Sequence, residues 1–86
     1  MLQAADLIIR LNAADDVVIA RVDLPAGTEI AKENIRTATA VPAGHKIATH
    51  DIKESEPVRR YNQIIGFATR PIRTGEHVHV HNLGMG

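Results

Sequence analysis

Histidine is the residue best placed to do chemistry in this chain, and three of its five copies alternate: Glu76-His77-Val78-His79-Val80-His81-Asn82. In a strand, alternate residues share a face. His77, His79 and His81 would then point one way, and Val78 and Val80 the other way into a core. The imidazoles would repeat at about 7 Å, twice the rise per strand residue. Neighbouring members could meet on one ion or one anionic ligand, and all three could do so only where the strand bends or ends. Imidazole suits Zn, Fe, Ni and Cu, and it is the usual acid or base near neutral pH. His77, His79 and His81 are therefore candidate metal ligands.

Two further groups have binding chemistry. Gly44-His45-Lys46 places an imidazole and an ammonium directly after a tight turn. Such loops carry binding groups, and their backbone N–H groups can hold anions. Arg59-Arg60-Tyr61-Asn62-Gln63 reads as a strand with Arg59, Tyr61 and Gln63 on one face and Arg60 and Asn62 on the other. Arginine grips carboxylates in a bidentate fork. His50, in Thr49-His50-Asp51, reads as a solvated turn residue. The chain has no His-Glu-x-x-His, no phosphate loop, no paired-carboxylate motif and no convincing Ser/His/Asp set. A complete catalytic apparatus is not expected in 86 residues.

The elements that position these residues follow from a recurring phrase: apolar residue, tight turn, apolar residue. Its copies are Leu24-Pro25-Ala26-Gly27-Thr28-Glu29-Ile30, Val41-Pro42-Ala43-Gly44-His45-Lys46-Ile47, Ile52-Lys53-Glu54-Ser55-Glu56-Pro57-Val58 and Ile72-Arg73-Thr74-Gly75-Glu76-His77-Val78. Pro-Ala-Gly suits a type II turn, where glycine accepts a positive φ. Each phrase predicts a strand end, a turn and a new strand. Their spacing is irregular, so this is not a solenoid. Val17-Val18-Ile19-Ala20-Arg21-Val22 is β-branched and reads as a buried strand, after the turn cluster Asn12-Ala13-Ala14-Asp15-Asp16. Ala31-Lys32-Glu33-Asn34-Ile35 could form a single helical turn. The expectation is one small all-β domain of short strands and tight turns over 7–83, with at most one or two helical turns. Residues 1–6 are expected to be an N-terminal tail, and 84–86 a C-terminal tail or truncation point.

Composition narrows the function classes. Ten Lys+Arg balance ten Asp+Glu, and only Tyr61 and Phe67 are aromatic, so neither a basic stripe nor a stacking platform for nucleic acid exists. No apolar run is long enough for a transmembrane helix, and no signal peptide is expected at the N-terminus. The absence of cysteine excludes a disulfide scaffold and a thiolate metal site, in keeping with a cytoplasmic location. A small aliphatic core of this kind often gains stability by docking on another domain or subunit.

From Ile8 to Leu83 the chain resembles the N-terminal SAF domain of the altronate/galactarate dehydratase family, including its small-subunit form in sulfolactate sulfo-lyase. The resemblance rests on Asp23-Leu24-Pro25-Ala26-Gly27-Thr28, Pro42-Ala43-Gly44-His45-Lys46-Ile47-Ala48, Tyr61-Asn62-Gln63-Ile64-Ile65-Gly66-Phe67-Ala68-Thr69 and Gly75 to Leu83. It departs from the family at Asn62 and Ser55, where glycine is usual, and at Arg60, where an aliphatic residue is usual. The resemblance implies a β-clip fold, dependence on a divalent metal (iron(II) in the dehydratases) and a much larger catalytic domain or subunit as partner. It further implies loss of water from a sugar acid to give a 2-keto-3-deoxy acid. On that footing His79 and His81 are the catalytic candidates, and His45, Lys46, Arg59 and Asn82 the substrate-binding ones. The chain alone is expected to be inactive, and a homo-oligomer is a further arrangement open to it. The alternatives are the small subunit of a sulfo-lyase, a non-catalytic carbohydrate- or protein-binding SAF module, and a stand-alone metal-binding protein.

Overall fold

The computed structural model describes residues 7–85; the expected tail at 1–6, and Gly86, lie outside them. Among the described residues the strands are β1 (Ile8–Ile9), β2 (Val17–Ala20), β3 (Glu29–Ile30), β4 (Ile35–Arg36), β5 (Lys46–Ala48), β6 (Pro57–Arg60), β7 (Gln63–Ala68), β8 (His77–Val78) and β9 (Leu83–Gly84). One 3-10 turn, Ala31–Glu33, falls where a helical turn is expected. The fold is all-β. Every strand pairing is antiparallel, in sheets ordered β1-β2-β5-β8, β3-β4 and β6-β7-β9. No helix among the described residues is long and apolar enough to cross a membrane.

The β1-β2-β5-β8 sheet sends core residues from both of its faces. Cross-strand register places Val18, Ile47 and His77 on one face, and Ile19, Lys46 and Val78 on the other. The first face carries Ile8, Val18, Ala20 and Ile47 into a core cluster with Leu24, Ile30, Ile35 and Val41. The second carries Val17, Ala48 and Val78 into another with Ile52, Val58, Ala68 and Ile72. A strand buried on both sides needs apolar residues at every position, which is why β2 reads as an unbroken apolar run.

The four recurring phrases divide evenly between these clusters. Leu24, Ile30, Val41 and Ile47, the first and last apolar residues of two phrases, enter the first cluster. Ile52, Val58, Ile72 and Val78 enter the second. Leu24 bridges Val41, and Ile52 bridges Ile72. The turns between carry positive φ at Gly27, Gly44, Ser55 and Gly75. After three of them the chain closes a tight turn: the N–H groups of His45, Glu56 and Glu76 donate to Pro42, Lys53 and Arg73 O. Gly75 has a second reason to lack a side chain, since a Cβ there would run into the Arg36 carbonyl oxygen.

Two sequence expectations need correction. Val80 was expected to point into the core but is 81% exposed. The histidine strand stops at Val78, and the chain turns through His79-Val80-His81-Asn82 before β9. The run from Arg59 to Gln63 is likewise not one strand. Tyr61 and Asn62 form the two-residue loop between β6 and β7, both with φ of 58°. Positive φ at both central residues is the type I′ pattern, whose twist matches a right-handed hairpin. Arg60 consequently faces Gln63 across the hairpin, and Arg59 faces Ile64. Left-handed backbone costs a non-glycine residue about 1–2 kcal/mol. Here a buried carboxylate offsets that cost: Asp15 accepts from the N–H groups of Tyr61 at 2.7 Å and Asn62 at 2.6 Å.

Candidate metal centre

The functional side chains gather where the β5-β8 ladder ends. Lys46 pairs with Val78 and Ile47 with His77, so one further step of the same register sets His45 opposite His79. Alternation puts both on the face that carries His77. The His45 and His79 ring centroids are 4.5 Å apart, and His45 and His77 are 5.0 Å apart. His77 and His79 stack at 5.3 Å with planes inclined by 12°. His45 is fixed from behind, its carbonyl accepting from Ala20 N–H at 2.9 Å.

One nitrogen from each of His45, His77 and His79 lies within 4.8 Å of the other two. The closest pair is His45 Nδ1 and His77 Nε2, at 2.9 Å. That pair is hydrogen-bonded, so a metal ion would replace their shared proton. The donor set fits a borderline divalent ion. The charge balance agrees: His77 is held below its ordinary imidazole pKa by burial first, then by His45, His81, His79 and Lys46. No carboxylate is among the groups that shift it, and the lowered pKa favours the neutral imidazole, the form that binds metal.

His81 stands beside the set. Its ring meets His77 at 5.4 Å, and the turn carries it outside the three-nitrogen group. Asn82 is buried at 2% exposure, and both ends of its amide are committed. Its Oδ1 accepts from His79 N–H at 2.9 Å, and its Nδ2 donates to His77 O at 2.9 Å. Asn82 therefore braces the backbone that aims His77 and His79. Lys46 points to the opposite face from His45. Burial first, and then Arg60, lower the pKa of its ammonium, which still lies within electrostatic range of His77. Arg59 lies on the hairpin, and no hydrogen bond or ring contact links it to the imidazoles among the described residues.

His50 occupies a different environment. Its Nδ1 meets Asp51 O at 2.9 Å and its Nε2 meets Asp16 Oδ1 at 2.7 Å. Both ring nitrogens face acceptors, the arrangement that an imidazolium satisfies. Burial opposes its charge, but the bonds to Asp51 and Asp16 outweigh burial and raise its pKa. Asp16 also accepts from Arg59 N–H at 2.7 Å.

Comparison with known proteins gives this geometry a family. The profile of the altronate/galactarate dehydratase SAF domain matches residues 6–86. The chain belongs to that family. Altronate dehydratase of Escherichia coli is 42% identical over 77 residues, which cover 86% of this chain and 15% of that enzyme. Altronate dehydratase of Bacillus subtilis is 36% identical over 76 residues, again 15% of its length. The alpha subunit of (2R)-sulfolactate sulfo-lyase from Chromohalobacter salexigens is 52% identical over 44 residues, 51% of this chain and 47% of the subunit. This SAF domain thus spans a small fraction of the dehydratases it matches, and a larger catalytic region or subunit accounts for the remainder.

Sequence reasoning assigned His45 to substrate and missed its place among the metal-ligand candidates. The available signal was that the second and fourth phrases both end in strands that the sheet makes neighbours. It also missed Asp15 and Asp16, read only as turn formers. Their signal was two adjacent acids between apolar runs, with no basic residue beside them in sequence.

Proposed function

We propose that this SAF domain is the N-terminal domain or small subunit of a metal-dependent hydro-lyase that dehydrates a sugar acid to a 2-keto-3-deoxy acid. The observation that carries the reading is the convergence of His45, His77 and His79 nitrogens within 4.8 Å in a chain of this family. A divalent ion held there, iron(II) by family resemblance, would supply Lewis-acid polarisation of the substrate's carboxylate and α-hydroxyl oxygens. His45, His77 and His79 would hold one side of that ion, and the catalytic region would complete its ligands. His81, beside the set rather than in it, is the imidazole left to move a proton at the leaving hydroxyl. Lys46, on the opposite face of β5 from His45, adds only through-space positive charge to the imidazole group. The domain alone is inactive because three imidazoles form only one wall of a site.

The identity to a sulfo-lyase alpha subunit favours a second reading, in which the same wall serves loss of sulfite. The experiment is reconstitution with the catalytic region, supplying altronate, galactarate and (2R)-sulfolactate in turn. Keto-acid formation without sulfite supports the first reading, and sulfite release the second. Unchanged turnover after His79→Ala and His81→Ala would remove both.

A further inference from the structure

The β6–β7 hairpin carries features that the metal centre does not use. Its loop residues Tyr61 and Asn62 both sit at φ 58°, although Asn-Gly would make this turn without strain. Asp15, 4% exposed, commits both carboxylate oxygens to the two loop N–H groups. A buried acid is thus spent on holding a tyrosine in an unfavourable backbone conformation, with that tyrosine 68% exposed. Strain of this kind collects where a side chain must be presented.

The hairpin's outer face is apolar as well. The register slips by one residue between Val58 and Arg59: Val58 faces Gly66, and Arg59 faces Ile64, leaving Ile65 as an extra residue. A bulge resets alternation. Ile64 and Phe67 are therefore both exposed, at 49% and 37%, while Gly66 and Ala68 are buried. Across the hairpin, Pro57 faces Phe67 and Arg59 faces Ile64. Arg59 has no ion pair among the described residues. Aromatic, aliphatic and arginine side chains on a preset surface have the composition of an interface centre.

We infer that this face, tipped by Tyr61 and preset by Asp15, docks on the catalytic region of the enzyme, at an apolar seat with a carboxylate for Arg59. The inference rests on the function proposed above. The matched dehydratases place 85% of their length outside this domain, since it covers 15% of them, so a catalytic region is the occupant at hand.

The test uses Escherichia coli altronate dehydratase with its 77 matched residues replaced by this domain, beside the free domain. Two hairpin variants accompany it. Tyr61→Asn keeps a residue that tolerates the left-handed turn, and Ile64→Ser with Phe67→Ser removes the apolar face. Hydrogen exchange at the hairpin amides is expected to be slower in the assembled enzyme than in the free domain by about tenfold or more, a protection that both variants abolish. Turnover falls with it, while Co(II) binding by the free variants stays at the unmodified level. Equal exchange in both settings, failure of the unmodified chimaera to assemble, or a free domain that dimerises through this face would overturn the inference. Loss of Co(II) binding in the unmodified free domain would instead overturn the metal reading and leave the docking result standing.

Discussion

His77 and His50 differ only in what surrounds them, and the surroundings push their pKa values in opposite directions. His77 meets other imidazoles and an ammonium, so burial and like charge keep it neutral. His50 is pinned between the Asp16 carboxylate and the Asp51 carbonyl, so protonation completes its bonding. The first arrangement bonds its imidazoles only to each other, His45 Nδ1 to His77 Nε2, on a shared face. The second spends both nitrogens inside the protein. On the proposed reading the grouped histidines are the ligand set, and His50, held by its own acid, is a fastening.

Four changes should break or sharpen that contrast. The largest effect belongs to the ligands. Alanine at His45, His77 or His79 should weaken Co(II) binding by about 100-fold or more, and alanine at His50 should leave it unchanged, as read by titration of the visible Co(II) bands. Asn82→Ala comes next. It frees His79 N–H and His77 O together, and should weaken the metal by about 10–100-fold although Asn82 is no ligand. Asp16→Ala acts on the other side of the comparison. It leaves Arg59 N–H and His50 Nε2 without their acceptor and should cost about 1–3 kcal/mol in urea unfolding, with metal affinity intact.

The smallest effect is in pH. His50 has a raised pKa, so its contribution is complete below the unfolded value of about 6.5 and disappears as pH rises through the higher folded value. His77 has a lowered pKa, so the metal-free fold loses stability as pH falls from about 6.5 through the lower folded value. Removing His50 should abolish the first slope and removing His77 the second. The His50 side chain is 56% exposed, so its slope should amount to less than about 1 kcal/mol across the window. Thermal unfolding of both variants from acid to mildly alkaline pH reads the two slopes separately.

Much of the fold was legible because its signals are local. The four phrases each carry their own turn residue and two apolar ends, and those ends are the core residues found. Legibility stopped where long-range register decides. That His45 opposes His79 depends on β5 pairing with β8 across many intervening residues, which no local pattern encodes. The end of the histidine strand at Val78 was hidden for a similar reason. Val80 and His81 continue the alternation, and the turn is closed by backbone bonds from Asn82 and Leu83 N–H to His79 O and by the Asn82 amide bonds to His77 and His79. The Arg59–Gln63 run misled because Tyr61 and Asn62 are poor predictors of a two-residue loop when the buried Asp15 that permits it lies 46 and 47 residues away.

The central claim is that His45, His77 and His79, and not His50, form the ligand set. The most direct measurement is long-range nitrogen–proton NMR of the imidazole rings during titration with Zn(II). The account predicts large nitrogen shifts at His45, His77 and His79 together, saturating at one ion per chain, with His50 unmoved. Shifts confined to His50, or scattered over all five rings without saturation, would contradict it.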